Sequence, residues 1–145
     1  MQIVKKEAFN VVGKKVVAPW QQLGTEMPKA WQEVMARRDE INHRTSPYIL
    51  DICLQLVNGE FTQLVCVEVS DFVDIPNGFE GAHIPEQQYI YTKHTGSVME
   101  IAETFGAMIQ WAKDNHLTID PLDFKIQYTH ENSPEEGYDL YFKIV

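Results

Sequence analysis

Two acidic residues on neighbouring predicted strands, Asp51 and Glu68, have the types and spacing that could support chemistry. The strands are separated by Asn58-Gly59, a dipeptide that favours a two-residue type I′ hairpin because both of its positions need positive φ. Such a turn sets the pairing register, so we expect Asp51 to oppose Cys66. Asp51 and Glu68 would then be diagonal neighbours on one face of the hairpin.

These carboxylates suit two different kinds of site. Two carboxylates in one partly dry site could divide the acid and base roles of a hydrolase, because each raises the pKa of the other. One desolvated carboxylate beside aromatic rings would instead attract a lipophilic cation, with each cation–π contact contributing about 0.5 to 2 kcal/mol. Tyr89 is a further candidate ring, and the predicted ligand-binding residues are Glu68, Tyr141, Tyr91, Phe105, Trp111 and Asp51. The alternative is a solvated sheet face, with Phe105 in the core.

Other reactive side chains show no arrangement typical of a catalytic or metal site. Cys53 and Cys66 lack CxxC spacing, the histidines lack metal-ligand spacing, and no phosphate-binding glycine loop is present. His94 lies in a predicted strand-to-helix turn, where we interpret its ring as bonding nearby backbone. The sequence therefore predicts no metal, no cofactor and no catalytic residue other than Glu68, if the protein is an enzyme.

Composition restricts the class of protein. The 145 residues are 44% hydrophobic, which is enough for one compact domain over residues 1–145. The net charge of -9 disfavours direct DNA binding, because the surface repels phosphate. No apolar run approaches the roughly 18 residues of a membrane span, and no signal peptide is recognisable, so we expect a cytoplasmic protein without membrane contact.

The order of predicted elements repeats. A strand-helix-strand-strand unit over residues 7–70 recurs over 86–145, with a linker at 71–85. In the first unit we expect a β segment broken at Gly13, a helix from an N-cap at Thr25 to about Ile41, and strands at 49–57 and 60–70. In the second we expect a strand at 87–94, a helix from the Ser97 capping box to about Asn115, and strands at 124–130 and 138–145.

The closing strands alternate in polarity. Their predicted apolar face comprises Phe124, Ile126, Tyr128, Leu140, Phe142 and Ile144, and their polar face comprises Lys125, Gln127, Thr129, Asp139, Tyr141 and Lys143. We expect each helix to pack on an apolar face and the opposite faces to line a cleft. The predicted fold is α+β, with duplicated units forming a curved antiparallel sheet, two main helices and a central cleft.

Several phrases carry a family resemblance that extends over nearly the whole chain. They are Val67-Glu68-Val69, Ile75-Pro76-Asn77-Gly78-Phe79, Ile84-Pro85-Glu86-Gln87-Gln88-Tyr89, His94-Thr95-Gly96 and Asp139-Leu140-Tyr141-Phe142-Lys143-Ile144. In this order, and with the duplication, the sequence resembles the GyrI-like effector-binding domains. Related domains are the sensor halves of AraC-type and MerR-type multidrug activators, which bind amphipathic cations in a central cleft. Some stand-alone relatives are hydrolases that open strained, cyclopropane-type rings of DNA-alkylating natural products.

The resemblance implies roles for particular residues. Glu68 corresponds to the family's glutamate, and Tyr141 to a ring that contacts the ligand. Two departures are Lys125, where the family often has an acidic residue, and Lys143, where it often has proline. If Lys125 faces the cleft, its charge is expected to weaken cation selectivity.

Together these features predict a stand-alone protein that binds an amphipathic or cationic small molecule in the cleft between repeats, linked to transcription regulation or drug resistance. The chain starts at its first strand and leaves no room for a helix-turn-helix arm, so a separate partner would contact DNA. The alternatives are a hydrolase using Glu68 and a protein-interaction module. No oligomeric state is predicted.

Overall fold

A computed structural model describes all 145 residues and confirms an α+β fold, with two long helices and one eight-stranded antiparallel sheet. No helix is long and apolar enough to cross a bilayer. The elements are β1 (Gln2–Lys6), β2 (Phe9–Pro19), α1 (Trp20–Arg37), β3 (Tyr48–Val57), β4 (Glu60–Val69), β5 (Glu80–Ile84), β6 (Gln87–His94), α2 (Ile101–Asp114), β7 (Lys125–His130) and β8 (Tyr138–Lys143).

The sheet joins two strand-helix-strand-strand units, β2-α1-β3-β4 and β6-α2-β7-β8. Its strand order is β1-β6-β8-β7-β3-β4-β2-β5, so the units meet where β3 pairs with β7. Two strands lie outside the predicted repeats, because β1 pairs with β6 and β5 forms within the predicted linker to pair with β2. β2 is continuous through Gly13, so the predicted break there is wrong.

Both helices pack on one face of the sheet, which we call the outer face. Leu23, Ala30 and Val34 of α1 bury against β2 and β4, while Ile101 and Met108 of α2 bury against β6 and β8. We call the opposite, helix-free face the inner face. Because β1 and β2 lie near opposite ends of the strand order yet contact each other on the inner face, the sheet is curled around that face.

Local sequence signals predicted the boundaries of α2 but not the start of α1. α2 ends at Asp114, next to the predicted end at Asn115. In the short 3₁₀ turn that precedes the helix, the Ser97 hydroxyl accepts a hydrogen bond from the Met99 N–H at 3.1 Å. α1 begins at Trp20, directly after the extended Pro19, so the prediction of Thr25 as its N-cap is wrong. The helix starts early because β2 leads into it without a loop.

The β3–β4 hairpin has the predicted turn but not the predicted register. Asn58 and Gly59 have φ values of 52° and 77°, as a type I′ turn requires. A bulge at Leu54 then shifts the pairing by one residue, so Asp51 opposes Val65 instead of Cys66. Because side chains alternate between faces, this shift moves Asp51 to the outer face while Glu68 lies on the inner face, and their predicted proximity is wrong.

The β7–β8 pair corrects a second prediction of the same kind. Ile126 opposes Tyr141, and Gln127 opposes Leu140. The apolar side chains of β7 therefore lie on the inner face with Tyr141, whereas those of β8 lie on the outer face beneath α2. The connection at 131–137 is too long to set a register by turn geometry, so packing decides it. Both faces of the sheet centre are consequently apolar.

Candidate functional site

The inner face holds the largest cluster of buried aromatic side chains outside the helix-packed cores. All eight strands contribute, because curling of the sheet brings distant strands together. The buried members of the cluster are Val11, Leu50, Ile52, Leu64, Cys66, Ile84, Tyr89, Phe124, Ile126 and Tyr128, and Tyr48, Phe9, Val4 and Tyr141 pack against it. No helix covers this cluster.

Five tyrosine rings of this face form a continuous wall, with Tyr141 at its centre. The ring centroid of Tyr141 lies 5.0 Å from Tyr91, 5.4 Å from Tyr128 and 5.7 Å from Tyr89. Tyr48 extends the wall, with its ring centroid 5.9 Å from that of Tyr128. These separations are those of stacked and edge-to-face aromatic pairs, so the wall is packed and offers ring faces and edges to one place.

The polar atoms of the wall are partly paired. Tyr91 donates a hydrogen bond to the Asp139 carboxylate, and the Gln87 amide donates one to the Tyr89 hydroxyl at 2.7 Å. The Tyr128 hydroxyl is buried beside the Glu68 carboxylate, although it makes no hydrogen bond of ordinary geometry. Glu68 is therefore the acceptor nearest to the Tyr128 hydroxyl within the protein.

The electrostatics of the inner face depend on Glu68 and Asp139. Burial raises the pKa of Tyr141 to about 12, with the charges of these two carboxylates adding to the effect. Burial, followed by the nearby Glu68 carboxylate, also raises the pKa of Tyr128 well above its ordinary value. The tyrosines therefore stay neutral, and the fixed negative charges belong to the carboxylates.

An ammonium group sits among these rings. Lys6, the last residue of β1, places its Nζ atom 4.7 Å from the ring centroid of Tyr141, 5.0 Å from that of Tyr128 and 5.5 Å from that of Phe9. Burial lowers the pKa of Lys6, and the charges of Glu68 and Asp139 oppose that lowering. The rings form a cage of the kind that holds organic cations.

The structure brings together three of the six residues predicted to bind a ligand, namely Glu68, Tyr91 and Tyr141. The other three lie on the outer side of the sheet. Phe105 and Trp111 belong to α2 and pack in its core, where the Phe105 ring centroid is 5.7 Å from that of Phe142. Asp51 is the third, and the bulge at Leu54 accounts for its position.

Asp51 lines a small cavity of about 80 Å³ beneath α2, with Cys53, Gln63, Phe105, Lys125 and Gln127. Burial raises the pKa of Asp51 to about 6, and the charge of Lys125 opposes this rise. Lys125 pairs with Asp123, and its Nζ atom lies 5.3 Å from the Phe142 ring centroid. Lys125 therefore faces away from the aromatic wall, so it does not repel a cation there.

Sequence reasoning missed several members of the candidate site: Lys6, Phe9, Tyr48, Tyr128 and Asp139. Tyr128 was assigned to the helix-packing face because the β7–β8 register was wrong. The alternation of Val4 and Lys6 on a short strand is the only sequence signal for Lys6, and it does not show which strands lie opposite.

Two other places are less suited to ligand chemistry. The largest cavity, about 450 Å³, lies between β2 and α1, but Lys14 and Glu33 on its wall already pair at 3.8 Å. His94 is buried and bonds the Ser97 carbonyl at 2.8 Å, which confirms the predicted backbone contact. No three His, Cys, Asp or Glu side chains converge as metal ligands would.

Comparison with known proteins identifies related sequences. The family model described as the GyrI-like small molecule binding domain matches residues 1–145. The transcriptional regulator BrlR of Pseudomonas aeruginosa is 33% identical over 110 residues, which is 74% of this chain. That alignment covers 39% of the regulator, so the chain spans well under half of this relative's length.

Solved structures share the fold at low sequence identity. SAV2435 bound to tetraphenylphosphonium superimposes with a TM-score of 0.80 at 12% identity, covering 99% of this chain and 93% of that one. The C-terminal domain of EcmrR superimposes with a TM-score of 0.71 at 16% identity, covering 99% and 96%. At these identities the likeness concerns the fold.

Proposed function

Because the chain belongs to the family of GyrI-like small-molecule-binding domains, we propose that it binds an amphipathic organic cation on the inner face of its sheet. The observation that carries this proposal is the cage of Phe9, Tyr128 and Tyr141 around an ammonium group, at 4.7 to 5.5 Å from each ring centroid. The tetraphenylphosphonium complex of SAV2435, a protein of the same fold, supports the same class of ligand.

The charges of the inner face favour a cation over an anion. Glu68 and Asp139 supply two negative charges near the rings, Lys6 supplies one positive charge, and Lys93 pairs with Asp139 at 3.9 Å. The Glu68 carboxylate makes no salt bridge within the protein and can attract a cation, and the low polarity of the wall strengthens that attraction compared with bulk water. Each ring face that the ligand contacts adds about 0.5 to 2 kcal/mol.

The wall also suits ligands of varied shape. Tyrosine rings present apolar area to any organic group, and burying that area contributes roughly 25 cal/mol per Å². Recognition of this kind depends on area and charge more than on exact geometry, so we propose that several lipophilic cations bind.

The relationship to BrlR supports an effector role in transcription regulation. The alignment covers 39% of that regulator, so most of the regulator lies outside the matched region. We therefore propose that the domain senses a drug-like compound and that a separate segment or partner transmits the signal to DNA, with drug resistance as the setting.

The proposal is tested by titrating tetraphenylphosphonium into the protein by isothermal calorimetry at pH 7. Glu68→Gln should weaken binding by up to about tenfold, corresponding to at most roughly 1.4 kcal/mol of lost attraction. Asp51→Asn is the matched control, because it makes the same change in net charge on the opposite face of the sheet. Its affinity should stay within about twofold of the unmodified protein.

Three outcomes would contradict the proposal. The first is the absence of saturable binding in the unmodified protein and in every variant. The second is equal weakening in both variants, which would show that only the overall charge matters. The third is turnover of a strained-ring electrophile that Glu68→Gln abolishes, which would favour a hydrolase.

A further inference from the structure

We propose that Lys6 is an internal competitor of the ligand: its ammonium group occupies the cation position of the inner face, and a cationic ligand must displace it. This inference rests on the proposed function, because it concerns the same aromatic cage. It adds a residue that sets affinity and charge selectivity and that lies outside the motifs of the family resemblance.

The contacts of Lys6 are those expected of a bound cation. The rings around its Nζ atom come from three separate strands, with Phe9 on β2, Tyr128 on β7 and Tyr141 on β8. No carboxylate lies within ion-pairing distance of Lys6, whereas the neighbouring Lys5 pairs with Glu86 at 3.6 Å on the surface. Ring faces and more distant carboxylates, not a salt bridge, therefore hold the Lys6 ammonium.

Lys6 and a ligand cation would draw on the same attractive groups. Glu68 and Asp139 act on the Lys6 charge, and both also act on Tyr141 at the centre of the wall. A second positive charge in a partly buried cage would meet strong repulsion, since charges about 4 Å apart interact several times more strongly there than in water. The two cations cannot share the cage, so binding is an exchange.

The fold gives Lys6 a way out of the cage. β1 is a five-residue edge strand that pairs only with β6, and Lys6 is its last residue. The next residues, Glu7 and Ala8, are exposed, and the Lys6 side chain is itself half-buried. Rotation about its side-chain bonds can therefore carry the ammonium into solvent without breaking the core of the sheet.

An exchange of this kind lowers the affinity of the protein for every cation. A ligand must supply enough apolar area or charge to replace the contacts that Lys6 loses. A small hydrophilic ammonium compound makes no stronger contacts with the rings than Lys6 does, so we expect it not to bind. Large aromatic cations gain apolar burial in addition, so they are the ligands selected.

The test compares Lys6→Met with Lys5→Met, which removes the same charge from the adjacent, exposed residue. The ligands are tetraphenylphosphonium and triphenylphosphine oxide, a neutral compound of similar shape. Lys6→Met should bind tetraphenylphosphonium at least about tenfold more tightly than the unmodified protein. Its affinity for triphenylphosphine oxide should change less than about threefold, and Lys5→Met should change neither affinity by more than about twofold.

The outcomes separate this inference from the proposed function. Binding in the unmodified protein that Lys6→Met leaves equal or weakens would overturn the inference alone, and equal tightening for both ligands would overturn its electrostatic part. Binding seen only in Lys6→Met would support it in its strongest form. No binding of tetraphenylphosphonium to any variant would overturn both. Lys6→Gln, which keeps a polar end group, repeats the comparison if Lys6→Met is unstable.

Discussion

The replacement Asp51→Asn should make this protein more stable at neutral pH. Asp51 lies on the outer face of β3 beneath α2, where its neighbours Gln63 and Gln127 are uncharged. Burial raises the pKa of its carboxyl group from 3.8 to about 6, although the nearby Lys125 charge opposes the rise. A carboxylate held in such a place is ionised at pH 7 at the expense of the folded state.

The size of the effect follows from the two pKa values. The rise from 3.8 to about 6 corresponds to roughly 3 kcal/mol, since each pKa unit is worth about 1.4 kcal/mol. The side chain is half-buried, so solvent screens part of this free energy. We therefore expect Asp51→Asn to raise the free energy of unfolding at pH 7 by about 1 to 2 kcal/mol.

The raised pKa of Asp51 also determines how the stability of the protein changes with pH. A carboxyl group whose pKa is higher in the folded chain binds its proton more tightly there than in the unfolded chain. The free energy of unfolding of the unmodified protein should therefore fall as the pH rises from about 4 to about 6, on account of Asp51. In Asp51→Asn this contribution is absent, so the advantage of the variant should be small near pH 4 and complete above pH 6.

The assay is urea denaturation followed by circular dichroism at half-unit intervals from about pH 3.5 to 7.5, with free energies from linear extrapolation. Asp39→Asn, at an exposed residue, is the control and should follow the unmodified protein throughout. A stability difference for Asp51→Asn that does not change with pH would refute the argument. If Asp51→Asn instead loses stability relative to the unmodified protein as the pH rises from 4 to 7, the attraction between Lys125 and the Asp51 carboxylate outweighs the cost of burying that carboxylate.

Three further replacements test the packing of the sheet and of the turn that precedes α2. Gly13→Ala should lower the free energy of unfolding by about 2 to 4 kcal/mol, because a Cβ atom there would lie 1.9 Å from the Val65 carbonyl oxygen. Gly24→Ala is the control, because a Cβ atom at Gly24 of α1 would meet open space. It should raise the free energy of unfolding by about 0.5 to 1 kcal/mol. Equal effects of Gly13→Ala and Gly24→Ala in urea denaturation would contradict this account. His94→Ala should cost about 2 to 3 kcal/mol because it leaves the Thr104 hydroxyl, now bonded at 2.7 Å, without its partner. A thermal midpoint lowered by less than about 2 °C would contradict that expectation.

Much of the secondary structure could be predicted because its signals are local. The Asn58-Gly59 turn needs positive φ at both positions, and the structure has it. Ser97 precedes the helix that ends beside Asn115, and the closing strands span 125–130 and 138–143 where 124–130 and 138–145 were expected. In each case a few adjacent residues are sufficient to determine the local backbone.

Predictions of which side chains share a face of the sheet were wrong for β3 and for the β7–β8 pair. Nothing near Leu54 signals the bulge, and nothing in the 131–137 connection indicates that Ile126 opposes Tyr141. A shift of one residue exchanges the two faces of a strand, so a small error in register reverses the surroundings of every side chain beyond it. The register follows from burying the apolar side chains of all the strands together, which no single hairpin specifies.

The candidate site divides in the same way. Sequence patterns alone predicted two repeated units, gave the family resemblance, and proposed Glu68, Tyr91 and Tyr141 as ligand-binding candidates. Only the tertiary structure separated Asp51 from Glu68 and placed Lys6 of β1 among rings of β2, β7 and β8. The reason is physical: residue types and short-range turns are properties of neighbours along the chain, whereas an aromatic cage exists only where a curled sheet brings distant strands together.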